Sequence, residues 1–234
     1  MTEENPELEQ QVDQLLAGRN PRRVLEAGCG SASHLRFPEG TLLCGIDISQ
    51  KQLDKNEHMH EKIVGDLQTY PLPENTYDMV VCWDVLEHLP EPTKALENFF
   101  RTVNEGGIVI MASPNVFTLR GLITKLSPQW FHVFYARYIA GYDWAGQEEG
   151  YPFVTFHRWA IAPKAIERLA QSRNMKVISS DTFGFDHPEK RHAIFYALWS
   201  AVDKLANIIS FGKLETDAAA AFCIILQKRS RIIT

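Results

Sequence analysis

The chain has 234 residues, 45% of them hydrophobic, and a formal net charge of -5 at pH 7, enough for one well-buried α/β domain with elaborations and short for two. An acidic balance without a dense basic cluster excludes nucleic acid as the main partner, because phosphate-tracking proteins concentrate Lys and Arg; Lys228-Arg229-Ser230-Arg231 reads as a solvated tail. The four cysteines, Cys29, Cys44, Cys82 and Cys223, have neither metal-finger spacing nor a disulfide pattern and read as buried thiols.

In chain order, Met1 to Pro6 lacks the basic start and apolar core of a secretion signal, so a cytoplasmic protein is expected. Residues 1–20 are expected to hold a helix, with helical periodicity over Pro6 to Ala17. Val24 to Ala27 reads as a short buried strand. Gly28-Cys29-Gly30 then lets the chain turn with no Cβ in the way, exposing backbone to a ligand. Thr41 to Ile46 is a second apolar strand, closed by Asp47, 17 residues after Gly30. A carboxylate there can accept both hydroxyls of a ribose, which suits NAD, FAD and S-adenosylmethionine alike. A dinucleotide fingerprint wants a third Gly or Ala where this chain has Ser33, and the pyrophosphate reading weakens accordingly.

Ser49 is a candidate N-cap for a helix to about His58, followed by a third strand, Glu61 to Val64, and by Gly65-Asp66. A Pro-rich turn, Tyr70 to Asn75, leads into a fourth strand, Tyr77 to Trp83, and then Asp84-Val85-Leu86-Glu87-His88-Leu89. Pro92 to Asn104 is expected to be a helix with Leu96, Phe99, Phe100 and Val103 on one face, and Glu105-Gly106-Gly107 turns into a fifth strand. Met175 to Thr182 and Ala219 to Gln227 read as the last two strands. Alternating strands and helices predict a doubly wound, mostly parallel sheet.

These motifs, in this order over Arg23 to Asn115, resemble the class I S-adenosylmethionine-dependent methyltransferases. The resemblance implies a Rossmann-like α/β fold of seven strands whose last runs antiparallel between its neighbours. It also implies S-adenosylmethionine as cofactor and S-adenosylhomocysteine as product. Glu26 would orient the methionine amino end, and Gly28 and Gly30 would bring backbone against it. Asp47 would hold the ribose with Ile48 alongside, Asp66 the adenine amino group with Leu67 beside the ring, and Cys82, Trp83 and Asp84 would line the methionine end. The plainer roles for Asp66 and Asp47 are a turn carboxylate and a helix cap.

Two insertions depart from the minimal core. Residues 116–159 are dense in aromatics, among them Phe117, Trp130, Phe131, Phe134, Tyr138, Phe153, Phe156 and Trp159, and follow strand five, where ligands sit in open α/β sheets. A lid or substrate wall is expected, against an auxiliary subdomain with its own small core. Within it Arg120, Arg137 and Arg158 are candidates for holding an acceptor carboxylate or phosphate, with Glu148 or Glu149 as local partners instead. The second insertion, 190–211, puts Phe195, Leu198, Trp199, Val202, Leu205 and Ile209 on one helical face, expected to dock on the protein core or a dimer partner rather than on a membrane surface.

His88 is the first candidate general base if the acceptor is a hydroxyl. Asp84, Glu87 and His88, with His157 in Phe156-His157-Arg158-Trp159, are similar to the acidic, acidic, His cluster of ubiquinone-pathway O-methyltransferases, which implies a possible divalent metal and a second catalytic histidine. Asp84 stands where a longer Glu is usual. His58, His60, His132, His187 and His192 have no clustering spacing. The expected activity is methyl transfer to a small-molecule or lipid-like acceptor, favouring oxygen. A nicotinamide-linked oxidoreductase is disfavoured by Ser33 and by the lack of a Tyr-x-x-x-Lys pair, and a non-catalytic cofactor-binding scaffold is the remaining alternative.

Overall fold

The computed structural model describes residues 22–33, 35–139, 141–143, 145–147, 153–156, 158–184 and 193–230. The expected N-terminal helix, together with His34, Trp144, Glu148, Glu149, Tyr151, His157, His187 and His192, lies outside them.

Seven strands form one sheet, β1 (Arg23–Ala27), β2 (Leu42–Asp47), β3 (Glu61–Val64), β4 (Tyr77–Trp83), β5 (Val103–Pro114), β6 (Met175–Phe183) and β7 (Ala221–Lys228), in the order β3-β2-β1-β4-β5-β7-β6. The first five are parallel; β7 pairs antiparallel with both β5 and β6, as expected. The central strands read as unbroken apolar runs because both faces are covered. Successive residues sort by side: Leu25, Val80, Cys82, Val109 and Met111 enter one core, and Val24, Met79, Val81, Ile108 and Ile110 the other. The four cysteines are free and buried, and burial first of all pushes the Cys29 and Cys223 thiols up to about 12 and Cys44 to about 11.

Helix α1 (Gln50–Lys55) begins where Ser49 caps it, its side chain accepting from the Gln52 N–H. It stops earlier than expected because Asn56 turns extended. Helix α2 (Pro92–Thr102) opens with Pro at its first turn and buries Ala95, Leu96, Phe99 and Phe100. Val103 belongs to β5, not to this helix. It pairs with Tyr77, and the next pair along is Met79 with Ile108, so Asn104 to Gly107 bulge from the ladder. Lys228, far from being a loose tail, donates to Asn75 Oδ1 (2.9 Å) and the Val103 carbonyl (2.8 Å).

Beyond β5 lie α3 (Leu119–Leu126), α4 (Gln129–Phe134) and a π-turn (Tyr135–Ile139). Thr118 caps α3, and Gly121 lets it pass close to Asn115, whose carbonyl a Cβ at 121 would strike. Most described rings here do not make a core of their own: Trp130 and Tyr138 are about 70% exposed. Helix α5 (Pro163–Ser172) packs Ile166 and Ala170 under the sheet.

Helix α6 (Ala193–Ile209) overturns the core half of the expectation that its apolar stripe docks on the core or on a dimer partner, although Trp199 of that stripe turns inward. Leu198, Val202, Leu205, Ile208 and Ile209 face outward, each more than half exposed, while Asp203 is buried. The polar side is satisfied only inside: Asp203 Oδ2 accepts the Asp217 N–H (2.8 Å), Asn207 donates to the Leu214 carbonyl (2.6 Å) and Ser210 Oγ accepts the Leu214 N–H (3.0 Å). Unmet backbone and carboxylate groups are costlier to bury than aliphatic side chains are to expose, so the helix turns its polar side in. Removing Phe99 (Phe99→Ala) should therefore lower the unfolding free energy by about 3–5 kcal/mol, while Leu205→Ala should change it by no more than about 0.5 kcal/mol. Denaturant titration of the two variants measures this; a core-sized loss at Leu205 would contradict the outward orientation.

Candidate functional site

The parallel strands end on one side in a row of turns, and the candidate residues collect there. After β1, Gly28 has φ +74° and Gly30 φ +52°. A Cβ on Gly28 would collide with the Val85 side chain, whereas one on Gly30 would meet nothing within 4 Å. Gly28 thus serves close packing, and Gly30 presents backbone to open space where a ligand can approach.

Asp47, at the end of β2, holds this turn. Its Oδ2 accepts the Gly30 N–H (3.0 Å) and its Oδ1 the Ser49 N–H (2.8 Å). The Gly28 N–H donates to the Ile46 carbonyl (2.7 Å), and buried Asn56 donates from Nδ2 to the Gly30 carbonyl (3.2 Å). Sequence reading missed Asn56; its only signal is an Asn ending a short helix. Ile48 follows with 76% of its surface exposed, an apolar flank beside a fixed carboxylate.

Glu26 is buried in β1, and Ser33 Oγ donates to its Oε1 (2.5 Å). The residue that breaks the dinucleotide pattern thus positions the acid of the first motif. Asp66 lies in the turn after β3, which is joined to β2 through the Gly65 N–H and the Asp47 carbonyl (3.0 Å). Its Oδ1 accepts the Gln68 N–H and Gln68 Nε2, both at 2.9 Å. Leu67 sits in the core, 4% exposed, and Trp83 packs partly buried against the core on the other face.

Asp84 ends β4 at φ +52°, a left-handed conformation that Asp tolerates better than most residues. A 3-10 turn, Leu86–His88, follows. Glu87 is 4% exposed; its Oε2 accepts from Ser113 Oγ (3.0 Å), and its Oε1 is 3.8 Å from His88 Nε2. Burial pushes the Glu87 carboxyl up to about 7. Desolvation in the crevice, then the neighbouring Glu87 charge, raises Asp84 to about 7 as well. Asp84 keeps solvent access and Glu87 does not, so the shared proton is assigned to Glu87.

His88 Nδ1 lies 2.9 Å from the Val154 carbonyl, which can only accept. The neutral ring therefore carries its proton on Nδ1 and leaves the Nε2 lone pair available. Burial lowers the His88 pKa, keeping the ring neutral. The same strip of the aromatic insertion is fastened again where the Phe156 N–H meets the Glu87 carbonyl (2.8 Å) and Phe153 sets its ring edgewise on His88, 5.6 Å between centroids. A cavity of about 230 Å³ opens here, lined by Glu87, His88, Thr118, Arg120, Thr124 and Thr155 among others.

The three arginines of the insertion have local partners: Arg120 pairs with Asp217 (3.5 Å), Arg137 donates to the Ala145 carbonyl (2.5 Å) and Arg158 to the Pro90 carbonyl (3.0 Å). Arg120 alone of them lines the cavity. His58, His60 and His132 stand apart from it, His60 accepting the Leu43 N–H and His132 meeting Ser127. Among the described residues no group of three or more His, Cys, Asp or Glu side chains could hold a metal ion. Asp84, Glu87 and His88 form no such group by themselves, and no metal step is derived.

A family profile described as a methyltransferase domain matches residues 2–180. A ubiquinone biosynthesis O-methyltransferase of Nitrosomonas europaea is 28% identical over 147 residues, 55% of this chain and 62% of that protein. A probable S-adenosylmethionine-dependent methyltransferase of Mycolicibacterium smegmatis is 31% identical over 117 residues, 47% of this chain and 45% of that one. The alignments thus span about half the length of these relatives. Among solved structures, a SAM-dependent methyltransferase from Archaeoglobus fulgidus superposes with TM-score 0.56 at 16% identity over 96% of this chain and 95% of that one. The [4+2]-cyclase SpnF does so with TM-score 0.53 at 14% identity over 96% and 82%. These two likenesses concern the fold alone. With the profile matched across most of the chain and the seven-stranded sheet in place, the chain belongs to the class I S-adenosylmethionine-dependent methyltransferase family.

Proposed function

We propose that the protein transfers the methyl group of S-adenosylmethionine to a hydroxyl of a small or lipid-like acceptor held in the cavity beside Glu87 and His88. The observation that carries this is His88 itself: its proton is fixed on Nδ1 by the Val154 carbonyl, its ring is held neutral, and it lines the cavity. The bound sulfonium supplies an activated methyl and its leaving group, so the protein's task is alignment and proton handling. Asp47 presents a fixed carboxylate to the ribose, Gly30 presents backbone to the methionine portion, and Ile48 gives one face of the adenine an apolar wall.

A phenolic hydroxyl holds its proton to about pH 10, so attack at neutral pH is aided by a base. His88 Nε2 takes that proton, and the Glu87 carboxyl, 3.8 Å away, faces the ring that receives it. A nitrogen acceptor, which attacks through its lone pair before losing a proton, needs this base far less. The likeness to a ubiquinone biosynthesis O-methyltransferase supports oxygen in the same sense.

His88→Ala should lower kcat for a hydroxyl acceptor by about 10²–10⁴ while leaving S-adenosylhomocysteine binding within about twofold. Tritium-labelled methyl transfer to catechols, phenols and amines measures it; equal transfer to amines with no dependence on His88 would contradict oxygen chemistry. The Glu87 carboxyl also links stability to pH. Its folded pKa of about 7 lies above the ordinary 4.5, so its contribution is present below about pH 4.5 and is lost as pH rises through about 7. Glu87→Gln should therefore gain on the wild type with rising pH, by about 1–3 kcal/mol at about pH 8. Denaturant melts across pH read this difference, and a pH-independent one would contradict a proton held at Glu87.

A further inference from the structure

Helix α6 turns its aliphatic side outward and its polar side in. Leu198, Val202, Leu205 and Ile209 recur every three or four residues, so they form one stripe, flanked by Ile208, and all are more than half exposed. The inward side carries Trp199, Asp203, Asn207 and Ser210, each tied to the segment leading into β7.

Charge on the outward face has one sign. Among its described residues, from Ala197 to Lys213, the charged side chains are Lys204 and Lys213, both exposed, in a chain of net charge -5. At the end of the stripe Phe211 is 92% exposed and held at φ +54°, a left-handed conformation that a bulky side chain rarely adopts, with Gly212 at φ +73° before Lys213. Phe211 takes this conformation at the helix C-terminus, where the Gly212 N–H bonds the Asn207 carbonyl (2.8 Å) and the Phe211 N–H the Ile208 carbonyl (3.0 Å), and the cap leaves its ring out in water. A second copy is a poor occupant: a twofold interface would set this patch against itself and bring four lysines together with no carboxylate among the patch's described residues to meet them. A bilayer carrying anionic headgroups takes the aliphatic stripe below its surface, seats the aromatic ring at the interface and neutralises both lysines.

We propose that α6 is a membrane-surface helix that lies along an anionic lipid leaflet through Leu198, Val202, Leu205, Ile209 and Phe211, with Lys204 and Lys213 on the headgroups. At 17 residues it is about 25 Å long, and no described helix is long and apolar enough to cross a membrane, so it lies on the surface. It also touches the cavity wall. Trp199 Nε1 donates to Asp217 (2.5 Å), and Arg120, which pairs with Asp217 and stacks over the Trp199 ring at 5.3 Å, lines the cavity. Delivery of a lipid-like acceptor along this path rests on the proposed methyl transfer; the surface itself does not.

Flotation of the full chain with vesicles tests it. Binding to phosphatidylcholine vesicles carrying roughly a quarter phosphatidylglycerol should exceed binding to phosphatidylcholine alone at least about tenfold, at about fivefold per lysine. The double variant Lys204→Glu, Lys213→Glu should lose that preference, and Leu205→Asp with Ile209→Asp should abolish binding. Melting temperature and S-adenosylhomocysteine binding should stay unchanged in both. Equal or absent binding to the two vesicles overturns the proposal. So does a dimer in sedimentation that Leu205→Asp dissociates, which would assign the face to a second copy, and so does a marked drop in melting temperature, which would mean the chain covers the face itself. Vesicle binding without any S-adenosylhomocysteine binding would leave this proposal standing and remove the methyl-transfer reading.

Discussion

The Asp47 carboxylate is the constraint on which the rest of the site depends. One oxygen is held by the Gly30 N–H and the other by the Ser49 N–H, so a single side chain ties the turn after β1 to the first turn of α1. Two backbone donors fix its orientation. Gly28 in that turn packs against the Val85 side chain, which brings the segment Asp84 to His88 up to it.

Across the crevice the organising fact is a shortage of solvent. Glu87 is buried with one hydroxyl donor, so its proton leaves only near neutrality, while His88 beside it is pushed towards its neutral form. The aromatic insertion supplies the third partner through the Val154 carbonyl, so the segment that contributes Thr155 to the cavity also selects the histidine tautomer.

Much of this was legible in the sequence, for a physical reason: the glycine turn, the strand-ending carboxylates and the buried parallel strands are local patterns with steep steric or solvation penalties for anything else. β3 and β4 begin and end at the residues expected for them. Element ends set by tertiary contacts were not legible, as with Val103, which the β4 ladder takes from the helix. Nor were partners distant in sequence: the Ser33–Glu26 and Asn56–Gly30 bonds and the Val154 clasp on His88 need three dimensions. The orientation of α6 misled because an apolar stripe normally seeks the core, and only the hydrogen bonds of Asp203 and Asn207 reveal that the polar side has the stronger claim on burial.

The central claim is that the Asp47-centred turn binds S-adenosylmethionine. Calorimetric titration of the wild type and Asp47→Ala with S-adenosylmethionine, S-adenosylhomocysteine and NADH tests it most directly. The account predicts micromolar binding of the two sulfur ligands to the wild type, weakened at least about tenfold in the variant, where a charge-assisted bond worth about 1.5–3 kcal/mol is lost, and no heat with NADH. Binding of NADH alone, or sulfur-ligand binding indifferent to Asp47, would contradict it.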